Sequence, residues 1–261
     1  DSLSILNEAY TAGIRTLDSA EVYGNAHNII GKHHEQNPNQ VFNVITKIPA
    51  NADADTIGGK VQKYLDELGV NQLNTLMFHS FDSYKSNPEM KGLLLDLKSD
   101  GLFSYLGVSV YTNQEIEAII TDDEIDLIQL PFNLLDNYSH RGELLEKAKR
   151  KGKIIHTRSV FLQGLFFMNP EEEHPIVAQL KKELTAIRQL SKSNQISVVD
   201  LALGYCFAQN HLDQVLLGVD SISQLKENLK ALKNPIPNEL IKQIDKLLVE
   251  DKNLLNPSLW N

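Results

Sequence analysis

Residues 16–24 read TLDSAEVYG, a short apolar run that ends in the carboxylate of Asp18 and is followed five residues later by Tyr23. Ile14, Thr16 and Leu17 have the β-branched and aliphatic content of a short buried strand. Gly24 and Asn25 mark a turn into a polar, helix-like segment. Asp18 and Tyr23 therefore fall at or just beyond the carboxyl end of a strand. Taken alone, the pair also suits an aspartate that closes a turn and a half-buried packing tyrosine. The rest of the chain decides between these readings.

The chain has 261 residues, is 42% hydrophobic and carries a net charge of -9, with acidic and basic side chains interspersed. That length suits one α/β domain with a sizeable core, so a single domain over residues 1–261 is expected. The acidic balance argues against a nucleic-acid or anionic-membrane surface. One cysteine, Cys206, in an apolar helix-like segment excludes an internal disulfide and a cysteine metal site. It reads as core packing in a protein of the cytoplasm. No stretch approaches the roughly 18 apolar residues of a membrane span, and residues 1–13 read as an amphipathic helix closed by Gly13 rather than as a signal peptide.

Short apolar runs alternate with longer helical segments, which is the pattern of βαβ units and a parallel sheet. Strands are expected around residues 14–19, 41–49, 74–79, 105–111, 126–133, 153–161 and 214–219. Helices are expected over residues 2–12, 25–34, 54–68, 88–100, 113–120, 141–151, 177–190, 197–209, 221–232 and 238–250. Capping boxes are expected at Thr112/Glu115 and Ser197/Asp200. Asp18, Lys47, His79, Ser109, Gln129, Ser159 and Gly218 each end a different strand. In a closed (β/α) barrel those ends would share the active-site face, but such a barrel needs eight strands. The expected fold is thus an α/β, (β/α)8 TIM barrel whose first strand is missing, with roughly one further strand of 5 to 6 residues before Asp1.

Set on one face, Asp18, Tyr23, Lys47 and His79 define a chemistry. A phenol with a reference pKa near 10 is a poor acid at neutral pH, and an ammonium beside it favours the phenolate. Lys47 supplies that charge, and Asp18 keeps the ammonium protonated and oriented. His79 can orient a carbonyl oxygen that Tyr23 protonates. None of the four is a reductant.

The order of these residues resembles the catalytic tetrad of the aldo-keto reductases. The resemblance runs through AGIRTLDSAEVYG, ITKIP, LMFHSF, YLGVSV, IQLPFN and SVFLQGLF to GVDSISQLKENL, almost the whole chain. It implies hydride transfer from NADPH, or NADH, to an aldehyde or ketone, with Tyr23 as general acid, Lys47 and Asp18 as its tuning pair and His79 orienting the carbonyl. It further implies that Ser109 and Gln129 hold the nicotinamide carboxamide, and that Ser159, Phe161, Gln163 and Gly164 run along the pyrophosphate, where glycine allows close backbone approach. Gly218, Ser221, Gln224 and Asn228 fall at the adenosine end. Ser221 and Gln224 also form an ordinary capping box. The remaining histidines show no metal-ligand spacing and read as surface or packing residues.

Three departures bear on function. Val110 follows Ser109 where many members have asparagine, so one carboxamide contact is lost or supplied by Asn133. Arg158 stands where many have an aromatic that stacks on the nicotinamide; a guanidinium can stack, but it adds charge. The stretch around Gly218 lacks the basic pair that grips a 2′-phosphate. Phe81, Tyr111, Arg158 and residues 134–140 are expected pocket walls, suiting a polar, anionic or sugar-like carbonyl compound. A monomer or weak oligomer is expected. The competing readings are a non-catalytic, nucleotide-binding regulatory or complex subunit, and a Schiff-base lyase using Lys47. Asp18, which keeps that lysine protonated, argues against the lyase.

Overall fold

Strand and helix alternate along the chain as the apolar runs require. The computed structural model describes residues 2–260 and groups them into two units, residues 2–129 with 219–225 and residues 130–218 with 226–260. Among the described residues there are seven strands and every recorded strand pair is parallel. No helix among them is long and apolar enough to cross a membrane.

The first unit holds β1 (Thr16–Asp18), β2 (Asn43–Ile48), β3 (Leu73–Phe78), β4 (Phe103–Ser109) and the start of β5 (Leu127–Pro131). Each pairs with the next in chain order, with Leu17 opposite Val44, Lys47 opposite Met77 and Ser109 opposite Gln129. The helices α1 (Ser2–Thr11), α2 (Ala26–Gln36), α3 (Ile57–Leu68), α4 (Phe81–Ser86), α5 (Pro88–Ser99) and α6 (Asn113–Ile120) lie between and before these strands. β2 and β3 are buried nearly throughout, because in a helix-covered parallel sheet both strand faces are core. Gly31 on α2 has no room for a side chain: a Cβ there would run into the Glu67 carbonyl oxygen of α3. That glycine sets the close approach of the two helices.

The second unit contains the end of β5, α7 (Tyr138–Arg150), β6 (Ile154–Arg158), α8 (Pro175–Gln179), α9 (Lys181–Asn194), α10 (Val198–Phe207) and β7 (Gln214–Val215). Then α11 (Ile222–Ala231) begins in the first unit and ends in the second, where α12 (Asn238–Ile244) follows. Phe132 stacks on Tyr205 at 5.7 Å between ring centroids. Cys206 is fully buried beside them, its thiol pushed up by burial, as a core cysteine should be.

Several boundaries differ from the sequence reading. The helix expected over 177–190 is two helices, because His174 caps a Pro175 start and the chain leaves helical geometry at Leu180. The helix expected from 141 starts at Tyr138, and the one expected to reach 250 ends at Ile244, where Asn137 Nδ2 donates to the Ile244 and Leu247 carbonyls. The short helix α4 was not expected; a capping box between Ser80 and Ser83 nucleates it directly after His79. The last strand is two residues long rather than six.

Candidate active site

β1 is short, but its pairing continues past Asp18: the Ser19 amide donates to Ile45 O at 2.8 Å and the Glu21 amide to Lys47 O at 3.4 Å. The turn that follows therefore stays beside β2. On β2 the side chains alternate, so Thr46 bonds His27 Nε2 of α2 at 2.8 Å while Lys47 faces the other way. Lys47 is 3% exposed, and its ammonium donates to Asp18 Oδ2 at 2.6 Å and to Ser19 O at 3.2 Å. Asp18 Oδ1 accepts from Gln129 Nε2 at 2.8 Å. Both carboxylate oxygens are thereby engaged, which offsets the cost of holding the ammonium out of water.

Tyr23 is 54% exposed, and its ring centroid lies 5.8 Å from Lys47 Nζ. Its amide closes a turn onto Ala20 O at 3.0 Å, and Gly24 follows with φ 64, a left-handed value that favours glycine. His79 comes immediately after β3 and is partly buried, Ser109 ends β4, and Gln129, 1% exposed, sits on β5 opposite it. The structure thus joins Asp18, Lys47, Gln129 and the Tyr23 ring directly. His79 and Ser109 occupy the same, carboxyl-terminal edge of the parallel strands. Phe81 opens α4, whose Tyr84 hydroxyl donates to Asp122 at 2.5 Å and is pushed up to about 12 by burial and that carboxylate. The Tyr111 amide is held by Glu115 at 2.6 Å at the start of α6.

In the second unit the chain leaves β6 in unusual backbone geometry. Ser159, Leu162, Gln163 and Gly164 have φ 59, 46, 56 and 82. Left-handed geometry at non-glycine residues costs about 1 kcal/mol or more each and persists where the surroundings enforce it. Here buried Val160, Leu162, Leu165 and Phe166 pin the loop, Phe161 packs on Phe167 at 5.3 Å, and no atom lies within 4 Å of where a Gly164 Cβ would stand. Concave backbone of this kind, open beside a glycine, can cradle a phosphate. Arg158 Nη1 lies 3.5 Å from Ser159 Oγ.

Two expected site segments are held by local bonds. Asn133 is fully buried, donates to Ser159 O at 3.1 Å and accepts the Leu135 and Asp136 amides at 2.9 Å in the turn after β5. Of residues 134–140, the first four are buried, leaving Tyr138, Ser139 and His140 partly or fully accessible.

At the start of α11, Ser221 Oγ accepts the Gln224 amide at 3.2 Å and Gln224 Oε1 the Asp220 amide at 2.7 Å, so both side chains serve the helix end. Gly218 is exposed and Asn228 is partly buried. Among the described residues no group of three or more His, Cys, Asp or Glu could hold a metal ion. The bond from Gln129 to Asp18 had no signal in the sequence, since the residues are far apart in the chain and only strand order brings them together.

The profile described as the Aldo/keto reductase family matches residues 1–249. The chain belongs to that family. Its members are oxidoreductases that generally reduce carbonyl compounds with a nicotinamide cofactor. Among its relatives are L-galactose dehydrogenase of Arabidopsis thaliana, 26% identical over 99% of this chain and 87% of that protein, and the NADH-specific methylglyoxal reductase of Escherichia coli strain K12, 24% identical over 86% and 80%. The holo form of aldo-keto reductase AKR11C1 from Bacillus halodurans superposes with a TM-score of 0.79, covering 96% of this chain and 89% of that one at 21% identity. The fold is therefore that of the aldo-keto reductases.

Proposed function

We propose that this chain reduces an aldehyde or ketone to the alcohol with NAD(P)H, Tyr23 supplying the proton. The observation that carries the reading is the buried Lys47 ammonium, tied to Asp18 at 2.6 Å and placed 5.8 Å from the ring of an accessible tyrosine. The ammonium favours the phenolate that Tyr23 becomes on giving up its proton, so it makes the phenol a better acid where charge develops. Asp18 and the Ser19 carbonyl hold the ammonium charged, and His79 orients the carbonyl oxygen. A bound reduced nicotinamide would supply a hydride, and Tyr23 would give the proton to the carbonyl oxygen.

Ser109 and Gln129 hold the carboxamide. Because Gln129 Nε2 already donates to Asp18, Gln129 offers its carbonyl oxygen. The left-handed loop with Ser159, Phe161, Gln163 and Gly164 suits the pyrophosphate, and Gly218, Ser221, Gln224 and Asn228 the adenosine end. The cofactor proposed is NADPH, with NADH possible, since the stretch around Gly218 lacks a basic pair to grip a 2′-phosphate. Phe81, Tyr111 and Arg158 are the residues proposed for substrate contact, and a polar or sugar-like carbonyl compound suits their chemistry. The names of the galactose and methylglyoxal relatives support a small polar substrate.

The architecture proposed with this function is a single (β/α)8 barrel domain over residues 1–261, supported by the likeness to AKR11C1. Its ends, Asp1 and Asn261, lie outside the described residues. A cytoplasmic monomer or weak oligomer is part of the same reading. The test is to titrate NADH and NADPH by fluorescence and then follow their oxidation with a panel of sugars, dicarbonyls and apolar aldehydes. Oxidation with the polar carbonyls supports the proposal. Tight nucleotide binding without turnover on any of them would favour a non-catalytic, nucleotide-binding subunit. Borohydride trapping with a carbonyl compound should leave Lys47 unmodified, against the lyase reading.

A further inference from the structure

Glu21 lies in the turn between Asp18 and Tyr23, and the chemistry above makes no use of it. Its carboxylate is nonetheless the most tightly held group of that turn. Lys60 Nζ donates to Oε1 and Oε2 at 2.8 and 2.9 Å, and the Tyr64 hydroxyl donates to Oε2 in a short hydrogen bond. Lys60 and Tyr64 are one turn apart on α3 and so present one face. Tyr64 is 2% exposed and is itself fixed, edge-on to His27 at 5.0 Å. His27 in turn bonds Thr46 Oγ1, next to Lys47, and lies 3.4 Å from Glu67 of α3.

By contrast, the end of the turn is thinly packed. Val22 is 59% exposed and Tyr23 54%. The backbone bonds from Glu21 N to Lys47 O at 3.4 Å and from Tyr23 N to Ala20 O at 3.0 Å shape it. A tyrosine so exposed needs something rigid behind it to keep its ring near Lys47, and a misplacement of about 1 Å is felt in the rate. We infer that Lys60 and Tyr64, acting through Glu21, are positioning residues that hold the turn presenting Tyr23 to Lys47. Burial alone would raise the Glu21 carboxyl, but the Lys60 and Tyr64 hydrogen bonds outweigh it and hold the group below its ordinary range. The clamp is therefore charged and intact at neutral pH. The inference rests on the reading of Tyr23 as proton donor.

The experiment combines amide hydrogen exchange over residues 19–24 with steady-state kinetics of the full chain. The variants are Tyr64→Phe, which keeps the ring, Lys60→Met, their double variant, and Lys60→Arg as the conservative control. Each single variant is expected to speed exchange of the Glu21 and Tyr23 amides about tenfold, the scale of one charge-assisted hydrogen bond. Exchange in β2 and β3 should stay as it is. The same variants should lower kcat about tenfold with KM and cofactor affinity unchanged, and Lys60→Arg should restore most of it. Wild-type exchange and kcat in the double variant would overturn the inference, as would faster exchange throughout the first unit or faster local exchange without loss of kcat. Should the wild-type chain reduce no carbonyl compound, the proposed function falls, and the positioning of a catalytic tyrosine falls with it; the exchange result alone then says whether the clamp holds the turn.

Discussion

Asp136 and Arg141 in the second unit form a closed pair. Both are buried, and Arg141 Nε and Nη2 donate to the two carboxylate oxygens at 2.6 and 2.8 Å in a bidentate fork. Asp18 and Lys47 in the first unit are built the other way. One ammonium meets one oxygen, the second oxygen takes an amide from Gln129, and the pair stands beside an accessible tyrosine ring. A bidentate arginine locks a turn, whereas a point charge on a flexible stem can act on a third group. The difference separates a pair that holds the chain together from one placed to change the acidity of a neighbour.

Removing the cation from each pair should therefore break different things. Lys47→Met is expected to lower turnover by roughly 10²- to 10⁴-fold, the range for losing support of an acid catalyst, and to raise the pH at which Tyr23 ionises. An unchanged pH profile in the residual activity would place Lys47 outside the chemistry. Its effect on urea unfolding should be the smaller of the two, because Asp18 is partly accessible and can be rehydrated. Arg141→Met should cost about 3–5 kcal/mol in that unfolding, since it takes the bidentate partner from a fully buried carboxylate. The folded fraction should keep its turnover. Equal stability losses in the two variants would erase the distinction between the pairs.

A weaker effect comes from His140, close to the closed pair. Burial first, then the neighbouring Arg141 charge, pushes its pKa down to about 4. The folded chain thus prefers the neutral ring, while the unfolded chain takes up a proton near the ordinary value of about 6.5. The contribution of His140 to stability is then full above pH about 6.5 and is lost as the pH falls toward 4. Urea midpoints measured across that window should decline less steeply in His140→Gln than in the wild type; identical slopes would show that the ring is not desolvated.

Both pairs were not equally visible in the sequence. Strand order and the positions of Asp18, Lys47, His79 and Ser109 could be read because each closes a short apolar run, and period and length alone mark such runs. The sequence places Arg141 at the start of a helix and residues 134–140 in a pocket wall, and neither reading contains the ion pair of Asp136 with Arg141. The bonds of the Asn133 side chain to the Leu135 and Asp136 amides likewise leave no mark in composition. The Glu21 clamp was hidden because Lys60 and Tyr64 look like ordinary surface and core positions of a helix. Their meaning comes only from what α3 packs against.

Tyr23→Phe tests the central claim most directly, because it deletes one hydroxyl and leaves the Asp18–Lys47 pair in place. With a carbonyl compound that the wild-type chain reduces, turnover should fall below roughly a tenth of the wild-type value, the loss expected for an acid catalyst, while NADH and NADPH titrations give unchanged affinities. Turnover above that level would contradict the account, as it would mean that the proton comes from elsewhere and that the charge beside Tyr23 serves another purpose.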